Sequence, residues 1–417
     1  METYALPARQ VRAGSHSIRG LQKVMLFLII VCCFMGMELL EKFGYVMGAN
    51  ATNTFTKLHP LAYLMTLLLA ANLLQFDYSV FRNIFLSKPA RYYFLTIVAL
   101  LIYLVLTKTA SNVAYIYDSL LMPILVAFYI RSLPADIGAK APHYALVFIL
   151  LNSLMAIVER LFTQNFFPFE EGLFHDIFRS SALLGHPLNN ALITFSFLMF
   201  VLLTDLNTIK KWACLLILLT ALICYGARGC LYVAVLSIVV LYIFPLFTSR
   251  KPYFVQSNKL GVVVILSFSV LILTYLVLFT SFGERLIDAS FYDDSSAGAR
   301  VEAFSLLEFD KPFSYMWARA QPRIDYLQDI HDVHIIENFI IVWLLKYGLV
   351  FTTLITSGLF FFLSLASGVR NWFYAFLMVG LFLMAAVTNN SLAVSTTSLT
   401  LFALIFTVPS DRYRFVL

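Results

Sequence analysis

Three arginines lie in the connections between the apolar runs of the sequence, each beside small residues. Arg179 opens the stretch Arg-Ser-Ser-Ala, Arg228 stands in Gly-Ala-Arg-Gly, and Arg300 follows Ser-Ser-Ala-Gly-Ala. A guanidinium group binds phosphate oxygens in a bidentate geometry and keeps its charge at physiological pH. Several arginines that converge would therefore suit a diphosphate. An arginine at a helix end also commonly snorkels or contacts a carbonyl, which is the alternative for each one taken singly.

A second polar group precedes the run that begins near residue 348. His331, His334 and Glu337 follow one another at intervals of three, so they would share one face if this piece is helical. A histidine or carboxylate of suitable pKa can accept a proton from a hydroxyl group. The alternative is a solvated loop end with a helix cap. His186, before Pro187, is a further candidate, although a histidine in a turn would have the same appearance.

The composition indicates a membrane protein. Of 417 residues, 61% are hydrophobic and 12% are charged, and the mean hydropathy is +0.84. Soluble domains have roughly 45–50% apolar and about 25% charged residues. This excludes soluble enzymes, secreted disulfide scaffolds, disordered regulators and free nucleic-acid binders. The five cysteines lie in or beside apolar runs, and no Cys/His spacing predicts a metal site.

Twelve apolar runs between residues 24 and 408 predict an all-α polytopic membrane protein of about twelve transmembrane helices. With a cytoplasmic N-terminus, 17 of the 29 lysines and arginines fall in inside segments. The positive-inside rule therefore predicts that both termini are cytoplasmic. We find no repeat and no linker, so residues 1–417 are expected to form one transmembrane domain. Two outer loops are expected, a short one at 164–186 and a large one at 283–347 that caps the site.

The order of these features resembles the O-antigen ligase and polymerase superfamily. The matching positions are Arg179 with Gly-His-Pro at 185–187, Arg228 with its flanking small residues, Arg300, and Asn338 with Gly348 after nine intervening residues. The resemblance spans roughly residues 140–360. It implies a glycosyltransferase of the bacterial inner membrane that takes a glycan from an undecaprenyl diphosphate carrier on the periplasmic face, inverts the anomeric centre and uses no metal or other cofactor.

The resemblance also implies residue roles. Arg179, Arg228 and Arg300 would bind the diphosphate, and the residue before Asn338 would assist the acceptor. Ligases have histidine at the position that Glu337 occupies, and the Gly-x-Gly that commonly follows the loop arginine is absent from 311–318. Histidine cannot be carried over to that position, so Glu337 and His334 are both candidates for the base, with His331 a further one.

The missing histidine favours a polymerase of the Wzy type, which joins the repeat units of O-antigen, capsule or exopolysaccharide. An O-antigen ligase, which transfers glycan to lipid A core, is the first alternative. A lipid-linked sugar flippase or transporter is the second, because twelve helices with both ends inside also suit a transporter. The expected partners are the undecaprenyl diphosphate-linked glycan, membrane lipid and, for a polymerase, a chain-length regulator. No nucleic acid is expected.

Overall fold

The computed structural model describes residues 16–45, 58–107, 113–167, 178–243, 271, 274–275, 278–280, 302–307, 312–333, 336, 338–388, 391–410 and 415. Within these residues the protein is all-α. The extended pairing among them is an isolated bridge between Thr204 and Phe415. Of the predicted site residues, Arg300, His334 and Glu337 lie outside the described part of the chain.

The helices of the described residues are numbered here in chain order. They are α1 His16–Cys33, α2 Met37–Lys42, α3 Pro60–Leu74, α4 Ser79–Leu86, α5 Lys88–Leu106, α6 Val113–Ser132, α7 Ala141–Phe162, α8 Pro187–Leu203, α9 Thr208–Cys224, α10 Arg228–Ile238, α11 Gln321–His331, α12 Phe339–Leu365, α13 Trp372–Val387 and α14 Ser398–Thr407. A π-helical segment, Ile116–Leu121, lies within α6, and another, Val239–Ile243, extends α10.

Four helices are long and apolar enough to cross a membrane. They are α5, α6, α12 and the span Ala135–Phe162, which contains α7. A fifth candidate is the pair α3 and α4, whose axes differ by 100° across a short break. The helices α8, α10, α13 and α14 are apolar but shorter. The described residues therefore establish an all-α membrane protein with four or five candidate spanning helices.

Helix α8 lies at the centre of the bundle. Nearly every residue of α8 is buried, from Pro187 to Leu203, and it packs against α7, α9, α10, α13 and α14. A helix that is apolar on all sides is stable only when it is enclosed by other helices or by lipid. The outer helices, by contrast, expose large apolar side chains such as Leu67, Leu95 and Leu151. These side chains are suited to contact with lipid.

Two sets of contacts define the ends of the bundle. At one end, which we call the arginine end, Thr397 Oγ1 donates to the Cys33 carbonyl at 2.7 Å, and the Ser180 amide donates to the Cys224 carbonyl at 3.2 Å. At the other end, the Gly368 amide donates to the Phe406 carbonyl at 2.7 Å. The residues before α8, after α9 and before α10 therefore meet at the arginine end.

Part of the loop predicted at 283–347 is helical and packs on α12. Residues 302–307 and α11 enclose a small apolar cluster with Ile341 and Leu345 of α12. The Arg319 amide donates to the Leu345 carbonyl at 3.0 Å. Helix α12 begins at Phe339, within the predicted loop, because Asn338 caps it there, and Gly348 interrupts its helical geometry. The chain thus turns helical nine residues before the predicted apolar run.

Candidate functional site

The loop before α8, residues 178–186, carries Arg179 and His186 and is held by one carboxylate. Glu159 of α7 has no exposed surface. Its Oε2 accepts from the amides of Ser181 and Ala182, and its Oε1 accepts from the amide of Phe166, all at 2.9 Å. A carboxylate that accepts several backbone N–H groups makes strong, charge-assisted bonds. The loop conformation beside Arg179 is therefore fixed from within the bundle.

A buried polar network fixes the same loop relative to three helices. Asn152 Nδ2 donates to Asn190 Oδ1 at 2.8 Å and to the Tyr225 hydroxyl at 3.0 Å, while Asn152 Oδ1 accepts from the Leu183 amide at 2.9 Å. Asn190 Nδ2 in turn donates to the Ser181 carbonyl. These bonds join α7, the start of α8, the end of α9 and the loop, so the loop cannot move without breaking buried hydrogen bonds.

The structure brings two of the three predicted arginines to the same end of the bundle. The Ser180 amide donates to the Cys224 carbonyl. Ser180 directly follows Arg179, and Cys224 lies four residues before Arg228. Gly226 has a φ of +63°, which lets the chain reverse between α9 and α10, and Arg228 is the first residue of α10. Both arginine side chains are half-buried, and Arg179 Nε is buried without a hydrogen-bond partner in the described residues.

The small residues beside Arg228 allow α10 to approach α13 closely. A β-carbon built at Gly229 would lie 2.3 Å from Cβ of Thr388, the residue that follows α13. The glycine after Arg228 is therefore required by packing. At Gly229 the space beside the backbone is occupied by the Thr388 side chain. The guanidinium group keeps its position at the start of a helix, where backbone N–H groups also favour an anion.

His186 caps α8 and is not suited to accept a proton. Its Nδ1 accepts from the Leu188 amide at 3.2 Å, so the neutral ring carries its proton on Nε2. Burial lowers the pKa of His186 to about 4. The side chain thus caps the helix, as the turn interpretation predicts, and it lies on the loop of Arg179; its role in a site stays a prediction. Pro187 follows at the first helical position, where its missing N–H costs nothing.

Glu38 is a titratable group at this loop that the sequence analysis missed. A β-carbon built at Gly185 would lie 1.5 Å from Glu38 Oε2, so the carboxylate occupies the space that the glycine leaves. Oε2 is buried and has no hydrogen-bond partner in the described residues. Burial is the main cause that raises the pKa of Glu38 to about 6. One signal in the sequence could have found it, because Glu38 is the only charged residue in the run 24–40.

Of the predicted polar cluster before α12, the structure describes His331 and Asn338. His331 is the last residue of α11, and Asp332 after it has a left-handed φ of +53°. His334 and Glu337 lie outside the described residues, so the expectation that the three share one face stays a prediction. His331 is exposed, whereas Asn338 is buried and its Oδ1 accepts from the Ile340 amide at 3.0 Å. Asn338 thus has a capping role in α12.

Gly348 anchors the described part of the large loop. Its φ is +79°, and a β-carbon there would lie 2.5 Å from the backbone of Trp317. Any other residue would be strained in this conformation and would also displace the loop. The spacing from Asn338 to Gly348 therefore has a structural meaning. Asn338 begins the helical piece on which the loop packs, and Gly348 ends it.

A third buried carboxylate belongs to the π-helical segment of α6. Asp118 Oδ2 accepts from the His59 amide at 3.0 Å, and the His59 ring contacts the Met35 carbonyl at 3.0 Å. Asp118 is 4% exposed, and its Oδ1 has no partner in the described residues. These bonds tie α3 and α6 to Met35, in the segment between α1 and α2. The next residue, Gly36, donates its amide hydrogen to the Leu183 carbonyl at 3.2 Å.

The arrangement combines two half-buried cations, a helix start and a carboxylate around one rigid loop. Cations and N–H groups can stabilise negative charge on a departing phosphate oxygen, and a carboxylate can accept a proton. Among the described residues, no group of three or more His, Cys, Asp or Glu side chains could hold a metal ion. No family model, no curated protein and no solved structure matches this chain significantly.

Proposed function

We propose that the protein is a glycosyltransferase that takes a glycan from an undecaprenyl diphosphate carrier and joins oligosaccharide repeat units, as an O-antigen, capsule or exopolysaccharide polymerase does. One observation carries the proposal. The hydrogen bond between Ser180 and Cys224 joins the segments that bear Arg179 and Arg228, so both cations lie at one end of the bundle. Two arginines at such a place can neutralise a diphosphate leaving group without a metal ion.

The membrane setting supports the same proposal. A carrier with an isoprenoid chain stays in the bilayer, and its diphosphate lies at the level of the headgroups. Arg179 lies just before α8 and Arg228 at the start of α10, which is the level at which helices leave the apolar core. We infer that the protein lies in the bacterial inner membrane with about twelve spans, cytoplasmic termini and the arginine end toward the periplasm. The excess of basic residues in the other connections supports this orientation.

The choice of a polymerase depends on the sequence around residue 337. Glutamate stands there instead of the histidine that ligases have. Arg300 is proposed as a third diphosphate ligand, and Glu337 or His334 as a base, on the resemblance alone. A chain-length regulator would then be a partner of this protein.

The proposal is tested by reconstituting the purified protein in lipid vesicles with undecaprenyl diphosphate-linked repeat units. A polymerase gives a ladder of longer glycans that remain on the carrier. If lipid A core is added and becomes glycosylated while no ladder forms, the protein is a ligase instead. A labelled carrier that crosses the bilayer without any new glycosidic bond would establish a flippase and overturn the proposal.

Arginine variants connect this assay to the site. Arg179→Ala and Arg228→Ala should each abolish the ladder. Arg323→Ala is the matched control, because Arg323 is an exposed arginine on α11 and lies over the Tyr326 ring. Equal loss in all three variants would indicate a general effect of positive charge and would count against a diphosphate site at the loop before α8.

A further inference from the structure

Among the titratable side chains at the loop before α8, the one best placed to act on a substrate is Glu38, to which the resemblance assigns no role. Its helix, α2, follows α1 after a short break and packs on this loop through backbone contacts. The Gly36 amide donates to the Leu183 carbonyl, and a β-carbon at Gly36 would lie 2.3 Å from the Leu184 backbone. Only glycine permits this approach. Glu38, two residues later, is thereby held against Gly185.

One oxygen of the Glu38 carboxylate has no hydrogen-bond partner among the residues that the structure describes. Glu38 Oε2 is buried and accepts no hydrogen bond within the described residues. A buried acceptor without a partner is unfavourable, so such a group calls for an explanation, and a catalytic role or a bound ligand is one. Glu159, on the other side of the same loop, differs in this respect because three amides use its oxygens. Glu159 is therefore structural, and Glu38 retains an oxygen for another group.

The other titratable side chain on the loop cannot accept a proton as readily. His186 uses Nδ1 as an acceptor for the Leu188 amide and must therefore carry its proton on Nε2. The ring can donate a hydrogen bond, but protonation would require the loss of this cap. Arginines remain protonated throughout. Among the described residues that pack on this loop, Glu38 thus has the carboxylate oxygen that can take up a proton.

We infer that Glu38, in place of the Glu337 or His334 that the resemblance implies, is the general base that activates the acceptor hydroxyl in the proposed glycosyl transfer, and this inference rests on the proposed function. The acceptor oxygen forms a bond to the anomeric carbon of the donor glycan. The bond from that carbon to the diphosphate oxygen breaks, and its electron pair leaves with the diphosphate, whose charge Arg179 and Arg228 stabilise. The hydroxyl proton passes to a carboxylate oxygen of Glu38 and is later released to water.

The pH dependence of the reaction should reflect this role. Burial holds the pKa of Glu38 near 6. Among the described residues, the nearby titratable groups are Glu41 on its own helix, whose charge also raises this pKa, and His186 after Gly185. Lys42 is directed elsewhere, toward the Phe166 carbonyl. A base must be deprotonated to act, so the turnover number should rise as the pH increases through about 6 and should be constant above it.

The experiment compares Glu38→Gln with Glu41→Gln in the reconstituted transfer assay. Glu41 is exposed on the same short helix, so its replacement makes the same change of charge without touching the loop. General base catalysis typically contributes 10²- to 10⁴-fold. We expect Glu38→Gln to lower kcat by about 10²-fold or more, to leave donor binding unchanged, and to remove the rise with pH. Glu41→Gln should keep the rate at neutral pH and the rise with pH, but the rise should shift to slightly lower pH, because the Glu41 charge raises the pKa of Glu38.

The result separates this inference from the proposed function. If the wild-type protein transfers glycan and Glu38→Gln does so at the same rate with the same pH profile, Glu38 is not the base although the proposed function stands. If the wild-type protein makes no glycosidic bond, the proposed function itself fails. Glu38→Asp is the second variant, because it keeps the carboxylate but shortens its reach. It should retain the pH profile at a reduced rate, and a flat profile would contradict the inference.

Discussion

Glu159 is the residue on which the position of Arg179 most depends, and Glu159→Gln tests this. The carboxylate accepts three amides, and all three positions require an acceptor. Glutamine has the same size but only one oxygen. If this oxygen serves Ser181 and Ala182, the NH₂ group faces the Phe166 amide, and two donors oppose each other. The substitution therefore removes one hydrogen bond and takes the charge from the other two.

The magnitude follows from these three bonds. A hydrogen bond to a charged group contributes roughly 1.5–3 kcal/mol and a neutral one roughly 0.5–1.5 kcal/mol. Losing one charged bond and weakening two should therefore cost about 3–5 kcal/mol. The substitution should lower the free energy of opening the loop before α8 more than the free energy of unfolding the whole bundle, because the apolar packing of α7 is unchanged. A factor of ten in an opening equilibrium corresponds to about 1.4 kcal/mol.

Hydrogen exchange of the purified protein in detergent measures this opening. Peptides that contain Ser181 and Ala182 should exchange about 10²-fold faster or more in Glu159→Gln. Peptides from the centre of α8 should keep their protection, and so should the whole protein in the control Glu41→Gln. Unchanged protection of Ser181 and Ala182 in Glu159→Gln would refute the reasoning, because it would mean that the carboxylate does not hold the loop.

Three further predictions concern the same end of the bundle. Arg228→Lys should lower transfer activity about 10²-fold with an unchanged melting temperature, since ammonium lacks the bidentate fork. Gly185→Ala should lower the melting temperature, because the new methyl group would meet the Glu38 carboxylate. Adding Glu38→Ala should restore most of the loss and leave about 1–2 kcal/mol of strain from the positive φ at residue 185. A melting temperature that is not restored would contradict the contact between Gly185 and Glu38. Tyr115→Phe should destabilise the protein by about 2 kcal/mol in a thermal melt, because Trp343 Nε1 loses its acceptor.

Apolar runs predicted where helices form, but they did not fix where each helix ends. The cap at Asn338, the proline at 187 and the reversal at 226–228 are local features, and each can be read from one residue type and its neighbours. The early start of α12 was not predicted. The segment from Phe339 to Tyr347 packs on the large loop as well as on the bundle. Its hydrophobic pattern alone therefore predicts a part of the loop and not the start of a helix.

The contacts that form the candidate site could not be predicted from local patterns. Glu38 and Gly185 are far apart in sequence, and their contact depends on how α2 packs on the loop before α8. The same holds for Glu159, which lies in an apolar run and gave no signal apart from its charge. Glycine at 185 could be assigned to a turn, but its second role, to leave space for a carboxylate, requires the folded structure.

Buried polar side chains determine the geometry of this site because apolar packing in a membrane is weakly directional. Lipid is as apolar as leucine, so a helix gains little from one rotation about its axis over another. Asn152, Asn190 and Tyr225 remove this freedom, since their hydrogen bonds form at only one relative arrangement of α7, α8 and α9. The segments of Arg179 and Arg228 are attached to these same helices. Their closeness is therefore a consequence of a few polar contacts inside an apolar bundle.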